Sequence, residues 1–499
     1  MAQTITRREF MAQTVGLAGL TAVLPRCSFA SRLHEGRPNI VLIMADDLGY
    51  GDVGCYGCTD TCLTTVKIRT PAIDKLASEG VRFTTFYTNA PNCTPTRTAL
   101  LTGRYQHRVG GLECALGIGN VGRYDDAIRL RETNDLGLPV EEISIARILK
   151  DAGYATAICG KWHLGYEKKF SPNNHGFDHA FYAIGGGMDY FHHVEPPPSN
   201  MYALYLNGEP VKRKGYFTDL VTDEAVQFIQ DQTKDSPFFL YIPFTAPHSP
   251  YQGPSDYRPL PLPEDSDLWN QSKGPRDIYF AMIERMDQSI GKVLKKLDER
   301  RLGDNTLVIF MSDNGASSSG SNLPFSGYKG NLFEGGIRVP CIAKWPGVLP
   351  EGMVSNQPCI TMDFSRSIVR AAGAKPPMNR PFDGTDILEL IEKKQPVRKR
   401  TLFWRARRGQ STRKAVRDGS LKYIWEQNGD DIKEHLFDLE QDPMEKNNLF
   451  SKRKEAAQTL KLLLKDWEEE VNPVRKLGWG CKPHPRHMLF TPQRAGLSF

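Results

Sequence analysis

Four stretches of the chain are apolar without a break: NIVLIMA (Asn39–Ala45), YATAICG (Tyr154–Gly160), PFFLYIPF (Pro237–Phe244) and TLVIFMS (Thr306–Ser312). A strand with one wet face alternates apolar and polar residues, whereas a strand covered on both faces does not. The four therefore read as central strands of a parallel sheet. Helical stretches lie between them. One spans 70–78, opened by Thr70 with Pro71 at its first position and stopped by Gly80. The alternation predicts an α/β fold, with a large doubly wound, mixed but mostly parallel sheet flanked by helices.

The pattern changes after about Lys393. KAVRDG and LKYIWE bracket an Asp-Gly turn and predict a hairpin over Lys414–Glu426. His435–Leu449 reads as a strand entering a proline-containing turn, and Leu460, Leu463, Leu464, Trp467 and Val471 fall on one helical face. The expected organisation is a large α/β domain over 37–395 and a small C-terminal domain over 396–471, an antiparallel sheet covered by one helix. An irregular tail follows over 472–499.

Composition adds little: 499 residues, 40% hydrophobic, 24% charged and a net charge of +6 describe an ordinary globular chain. No basic stripe marks a nucleic-acid partner. The N-terminus is more specific. Arg7 and Arg8 followed by Phe10, a short apolar run over Val15–Leu24 and the small residues of Ser28–Ala30 form a bacterial twin-arginine export signal over 1–30. The apolar run is too short to cross a bilayer as a helix. The alternatives are an uncleaved anchor and lipidation at Cys27, the latter opposed by Arg26. The expected location is the periplasm or the exterior, reached through the twin-arginine machinery. Cys55, Cys58 and Cys62 have the spacing of half a metal knuckle, but no second cluster follows, so a local disulfide or plain thiols is the better reading.

Polar residues capable of chemistry sit just past each predicted strand: Asp46-Asp47, Lys161-Trp162-His163, His248 within TAPHSP, and Asp313-Asn314-Gly315. Ligands bind at that edge of open α/β sheets. Each piece alone is commonplace, because Asp-Asp caps helices and Asp-Asn-Gly makes turns. Together, Asp46, Asp47, Asp313 and Asn314 supply oxygen donors suited to Ca²⁺ or Mg²⁺ rather than Zn²⁺.

The segment NCTPTRTALLTGR (Asn92–Arg104) carries Cys93, Pro95 and Arg97 ahead of Leu101-Thr102-Gly103-Arg104. This resembles the signature of the type I sulfatases, formylglycine-dependent members of the alkaline phosphatase superfamily. The flanking segments agree: NIVLIMADDLGYGD, GKWHLG (Gly160–Gly165), HGFDHAFY, GYKGNLFEGGIRVPCIAKWPG (Gly327–Gly347) and LFDLEQDPMEKNNL occur in order over residues 37–470. The resemblance is arylsulfatase-like or N-acetylgalactosamine-6-sulfatase-like.

The resemblance implies that a maturation enzyme oxidises Cys93 to Cα-formylglycine, reading Pro95 and Arg97. Hydrated, this aldehyde is a geminal diol: one oxygen attacks sulfur, and loss of the other hydroxyl's proton expels sulfate. It further implies that Asp46, Asp47, Asp313 and Asn314, together with the modified Cys93, hold one Ca²⁺ or Mg²⁺. Arg97, Lys161 and Lys329 would balance the sulfuryl charge. His163 would be the base that releases sulfate, and His248 would assist the departing alcohol. For Lys329 the alternative is a surface pair with Glu334.

Relatives often carry a small polar residue in the loop after HGFD, where this chain has AIGGGMDYFHH (Ala183–His193). Asp189, His192 and His193 are candidate sugar contacts there. Trp404, Arg405, Arg407 and Arg408 could recognise a sulfated sugar, or form a partly buried strand with a solvated basic edge. The sequence thus reads as an exported sulfatase acting on a sulfated glycan rather than a small aryl sulfate. The rivals are a phosphodiester or phosphonate monoester hydrolase of the same superfamily, and a non-catalytic glycan-binding protein with unmodified Cys93.

Overall fold

The computed structural model describes residues 36–57, 68–110, 112–117, 134–197, 199, 201–408 and 411–471. Residues 1–30, where the sequence predicts an export signal, Cys58 and Cys62, and the tail from Asn472 lie outside the described residues. Cys55 is a free thiol.

In chain order the strands of the large sheet are β1 (Asn39–Ala45) and β2 (Val81–Phe83), then, after the short β3 (Phe86–Tyr87) outside it, β4 (Ala155–Lys161), β5 (His179–Ala183), β6 (Leu204–Leu206), β7 (Glu209–Pro210), β8 (Phe238–Pro243), β9 (Thr306–Ser312), β10 (Cys341–Lys344) and β11 (Met353–Ser355). Their spatial order is β11-β2-β10-β9-β1-β8-β4-β5-β6-β7. The five central strands β9, β1, β8, β4 and β5 are mutually parallel. Antiparallel strands close both flanks, β10 on one side and β6 on the other. β1, β8 and β9 are buried along their whole length, as their continuous apolar sequences require.

The helix α1 (Pro71–Ser78) begins at Pro71, but Thr70 makes no side-chain cap to it. Its first free N–H groups, on Ala72 and Ile73, donate instead to the Asp287 carboxylate at 3.0 and 2.9 Å. A carboxylate from the long helix Arg276–Glu299 has replaced the local cap. The helix α2 (Cys93–Thr102) is buried on every side and ends at Gly103, whose φ is 68°. Its threonines survive burial by spending their hydroxyls on nearby carbonyls: Thr98 on Thr94, Thr102 on Thr98, and Thr96 on Ala90.

After the short β12 (Cys359–Ile360), which pairs with β3, the chain forms a four-stranded antiparallel sheet of β13 (Thr401–Arg408), β14 (Ser411–Asp418), β15 (Leu421–Asn428) and β16 (Asp431–Asp438). The helix Lys454–Val471 follows, burying Leu460, Leu464, Trp467 and Val471. This part shares a core with the larger one, since Trp404, Leu402 and Trp467 cluster with Tyr87, Ala99, Tyr105 and Leu332. A buried ion cluster joins them as well: Lys422 lies 2.8 Å from Glu334 and 2.9 Å from Glu445. Lys422→Ala would leave Glu445 without its cation and Glu334 with Arg338 as its ion-pair partner, and should destabilise the fold by about 3–5 kcal/mol in denaturant unfolding. Loss of under ~1 kcal/mol would show that the cluster rehydrates.

Candidate active site

Because β1, β4, β8 and β9 are parallel, their C-terminal ends reach one edge of the sheet, and the residues just beyond them meet there. Asp46 and Asp47 follow β1, Lys161 ends β4 with His163 two residues on, His248 follows β8, and Asp313 and Asn314 follow β9. All are buried, with Asp46, Lys161, Asp313 and Asn314 at 0% exposure. Cys93 opens α2 at the same edge, 1% exposed.

Three carboxylates here meet three cations. Lys161 Nζ donates to Asp46 Oδ2 at 2.5 Å and to the Gly186 carbonyl at 2.6 Å. Arg97 donates to Asp313 Oδ2 through Nε at 3.1 Å and Nη2 at 2.8 Å. Lys329 Nζ donates to Asp47 at 2.8 Å. Lys329 is therefore no surface partner of Glu334, which pairs with Lys422. Asp47 is buried, which alone would raise its carboxyl, yet Lys329 outweighs burial and holds it below the ordinary range. Burial and the neighbouring Asp46 push Asp313 up to about 6, against Arg97. Burial also pushes the Cys93 thiol up, against Lys161 and Lys329.

The oxygen donors fit a hard divalent cation. Asp46 Oδ1 and Asn314 Oδ1 are buried without a hydrogen-bond partner among the described residues. Ligand atoms of Asp46, Cys93 and Asp313 lie within 4.8 Å of one another, as do those of Asp46, Asp47 and His248. With the side-chain charges balanced, a bound dication would leave the site positive and attractive to an anion.

Both histidines have their ring nitrogens sorted. His163 Nε2 hydrogen-bonds the Leu116 carbonyl, so Nε2 carries the proton and the buried Nδ1, which has no partner among the described residues, keeps its lone pair. Burial and Lys161 lower its pKa well below the usual value, keeping the ring neutral. His248 Nδ1 donates to the Ser249 carbonyl at 2.5 Å, and Nε2 accepts from Gln271 Nε2 at 2.8 Å, 3.8 Å from Asp47. Burial and Lys329 keep it neutral too. Asp47 and His163 have φ of 64° and 57°; such left-handed residues cost about 1–3 kcal/mol each and persist where the surroundings fix them.

A cavity of about 480 Å³ opens from this cluster. Cys93, His163, His248 and Lys329 line it, with Tyr166, Glu195, Trp269, Gln271 and Arg408. The loop carrying Gly186 presses on His163: a Cβ on Gly186 would sit 2.7 Å from the imidazole Cε1, so only glycine fits.

Residues 38–374 match the family model described as Sulfatase. The chain belongs to the sulfatase family. Residues 328–471 match the model N-sulphoglucosamine sulphohydrolase, C-terminal. The mouse N-acetylgalactosamine-6-sulfatase is 34% identical over 405 residues, covering 78% of this chain and 72% of that protein. The human steryl-sulfatase is 32% identical over 439 residues, 72% and 70%. The crystal structure of Ps i-CgsB in complex with k-i-k-neocarrahexaose has 31% identity and a TM-score of 0.73, covering 89% of this chain and 95% of that one. This sulfatase is a sulfuric ester hydrolase of the type I, alkaline phosphatase superfamily fold.

Several residues outside the motifs take different places from those expected. Asp189 is fully buried and accepts four N–H groups, from Phe191, His192, Leu262 and Gln252, so it organises its loop. His193 is buried against the Gly215 carbonyl, and His192 turns to the Arg258 carbonyl. None of the three lines the cavity. Trp404 is buried and donates to the Thr88 carbonyl at 2.8 Å. Arg405 and Arg407 both grip Glu113, at 2.7 and 2.9 Å. Of that group only Arg408 lines the cavity.

Glu113 had no motif to mark it, yet it anchors the segment whose Leu116 carbonyl orients His163. The same segment is tied to α2, because the Thr94 hydroxyl accepts from Leu116 N–H and donates to the His163 carbonyl, each at 3.0 Å. Burial alone would raise the Glu113 pKa, but Arg405 and Arg407 prevail and hold it well below the carboxylate range. Its stabilisation is therefore complete above the unfolded value of 4.5 and is lost as pH falls through and below it. The gap in melting temperature between wild type and Glu113→Gln should be widest at neutral pH and narrow in acid. A gap independent of pH would show that charge is not what holds the segment.

Proposed function

We propose that this sulfatase removes sulfate from a sulfated glycan, using a formylglycine made from Cys93 and one Ca²⁺ or Mg²⁺ held by Asp46, Asp47, Asp313 and Asn314. The observation that carries the reading is the meeting of those four residues with Cys93, Arg97, Lys161, His163, His248 and Lys329 at one edge of the sheet, where Cys93, His163, His248 and Lys329 line a cavity. The glycan part is supported by the cavity's size and by the relatives, an N-acetylgalactosamine-6-sulfatase and a structure holding a neocarrahexaose. Arg7 and Arg8 support delivery by the twin-arginine route to the periplasm or beyond.

Cys93 is a buried free thiol at the head of α2, on the cavity wall, where its modified form would meet a substrate. The formylglycine hydrate would supply two hydroxyls on one carbon, one to attack and one to drive release. The cation, when bound, would supply Lewis acidity, drawing charge from the sulfuryl group and lowering the pKa of the attacking hydroxyl. The chain's own residues do the rest. Lys161 and Lys329 stand ready to share their protons with sulfuryl oxygens, and Arg97 fixes Asp313. His163 accepts a proton at Nδ1, the only ring position left open to it. His248 starts as a neutral acceptor at Nε2, and must take up a proton there before assisting the departing alcohol.

Intact-mass measurement of the Cys93 peptide, from cells that contain the maturation enzyme, should find the aldehyde, which is lighter than the thiol; an unmodified thiol in active enzyme would remove the mechanism. Chelation should abolish turnover and Ca²⁺ or Mg²⁺ should restore it. Asp313→Ala should lower kcat by about 100- to 1,000-fold or more while the protein stays folded. Sulfate esters should be cleaved faster than phosphodiesters of the same alcohol, and the reverse order would favour the phosphodiester or phosphonate reading.

A further inference from the structure

The cavity contains one carboxyl that takes no part in sulfate chemistry. Glu195, in the loop after β5, is 2% exposed and lines the cavity beside Tyr166. Its Oε2 accepts from the Ser199 hydroxyl at 3.2 Å. Its Oε1 faces the Tyr166 hydroxyl across Gly185, where a Cβ would lie 1.9 Å from the carboxyl oxygen and 3.0 Å from the phenol. Glycine is required there if the two polar groups are to stand together at the cavity wall. Among the described residues no cation pairs with Glu195, in contrast to Asp46, Asp47 and Asp313. Burial raises its pKa to about 7, so close to neutrality it is protonated much of the time.

A buried, cation-free carboxyl beside a phenol offers both donors and acceptors, and a sugar hydroxyl needs both. Its ionised form opposes a second anion: a sulfate or carboxylate brought against it would meet a like charge in a setting with little water to screen it. Trp269 lines the same cavity, and its indole N–H is spent on the Pro263 carbonyl, so it adds apolar surface rather than another polar demand. Lys329 and Arg408 are the cations that line the cavity, and Glu195 is the one carboxyl among its lining residues.

We infer that Glu195 and Tyr166 form a subsite that hydrogen-bonds a free hydroxyl of the substrate sugar and rejects a second anionic group there. The preferred substrate is then a sugar residue carrying one sulfate and an unsubstituted hydroxyl, not a disulfated residue or a sulfated uronate. This rests on the glycan reading above, and the two can fail separately. The test compares kcat/KM for three probes: 4-nitrophenyl sulfate, the best substrate from a panel of galactose, glucose and N-acetylhexosamine monosulfates, and the disulfated form of that same sugar. Wild type should prefer the monosulfate to the disulfate by about tenfold or more, the discrimination expected when a polar subsite meets the wrong partner.

In Glu195→Ala the ratio of sugar to aryl sulfate turnover should fall about tenfold or more, and Tyr166→Phe should lower it in the same direction. Glu195→Gln, which retains hydrogen bonding but cannot ionise, should recover part of that ratio and narrow the gap between mono- and disulfated sugar. Sugar and aryl turnover falling in the same proportion in all three variants would assign Glu195 and Tyr166 a structural role and overturn the subsite. A wild type that takes the disulfated sugar as readily as the monosulfate would overturn it too. Turnover of the aryl sulfate but of no sugar in the panel would remove the glycan reading, and the subsite with it.

Discussion

Three carboxylates sit at the C-terminal edge of the sheet with almost no contact with water, and each can stay ionised there only because a cation from a distant part of the chain reaches it. Burying a lone charge costs several kcal/mol even after relaxation. Asp46, Asp47 and Asp313 avoid that cost through Lys161, Lys329 and Arg97. The pairings tie together the ends of β1, β4 and β9, the helix α2 and the loop after β9. The groups that would handle sulfate are therefore the same groups that neutralise the site when it is empty of substrate. In the proposed reaction, substrate binding would exchange one set of charge partners for another instead of creating charge contacts anew, which would pre-organise the cluster for an anion.

Much of this was legible in the sequence for a physical reason. Strands buried on both faces must be apolar throughout, so β1, β8 and β9 announce themselves, and parallel strands gather whatever follows them on one edge. What escaped was set by tertiary contact. The cap of α1 comes from Asp287, more than two hundred residues after Thr70, and no local rule finds it. Asp189 looked available for a ligand, but four N–H groups from its own loop and a neighbouring one already occupy it. Gln271 and Glu195 lie in loops without period or motif, and they acquire meaning only from what they face. Lys329 was visible through its motif, but its partner was not, since Glu334 is near in sequence and Asp47 is near in space.

The C-terminal sheet contributes more than packing. Through Arg405 and Arg407 it holds Glu113, and Glu113 holds the segment whose Leu116 carbonyl fixes the His163 tautomer. Trp404, buried against the Thr88 carbonyl, secures β13 to the chain just ahead of α2. The aromatic-basic cluster on β13 thus acts on the reacting groups from behind. Its effect on turnover would be transmitted through a backbone carbonyl, with only Arg408 placed to meet a ligand directly.

The burial of α2 also sets a schedule for synthesis. Every residue from Cys93 to Thr102 is enclosed in the folded protein, so any catalyst that must read Cys93, Pro95 and Arg97 cannot reach them once folding is complete. Arg97 is clasped by Asp313, 216 residues later. At ordinary elongation rates of about 5–20 residues per second, that separation leaves the segment without its partner for roughly 10–40 s after it is made. On the proposed maturation of Cys93, the distance along the chain between the motif and the residue that seals it would work as a clock, and a mutation that hastened closure of this edge would yield a stable but inert protein.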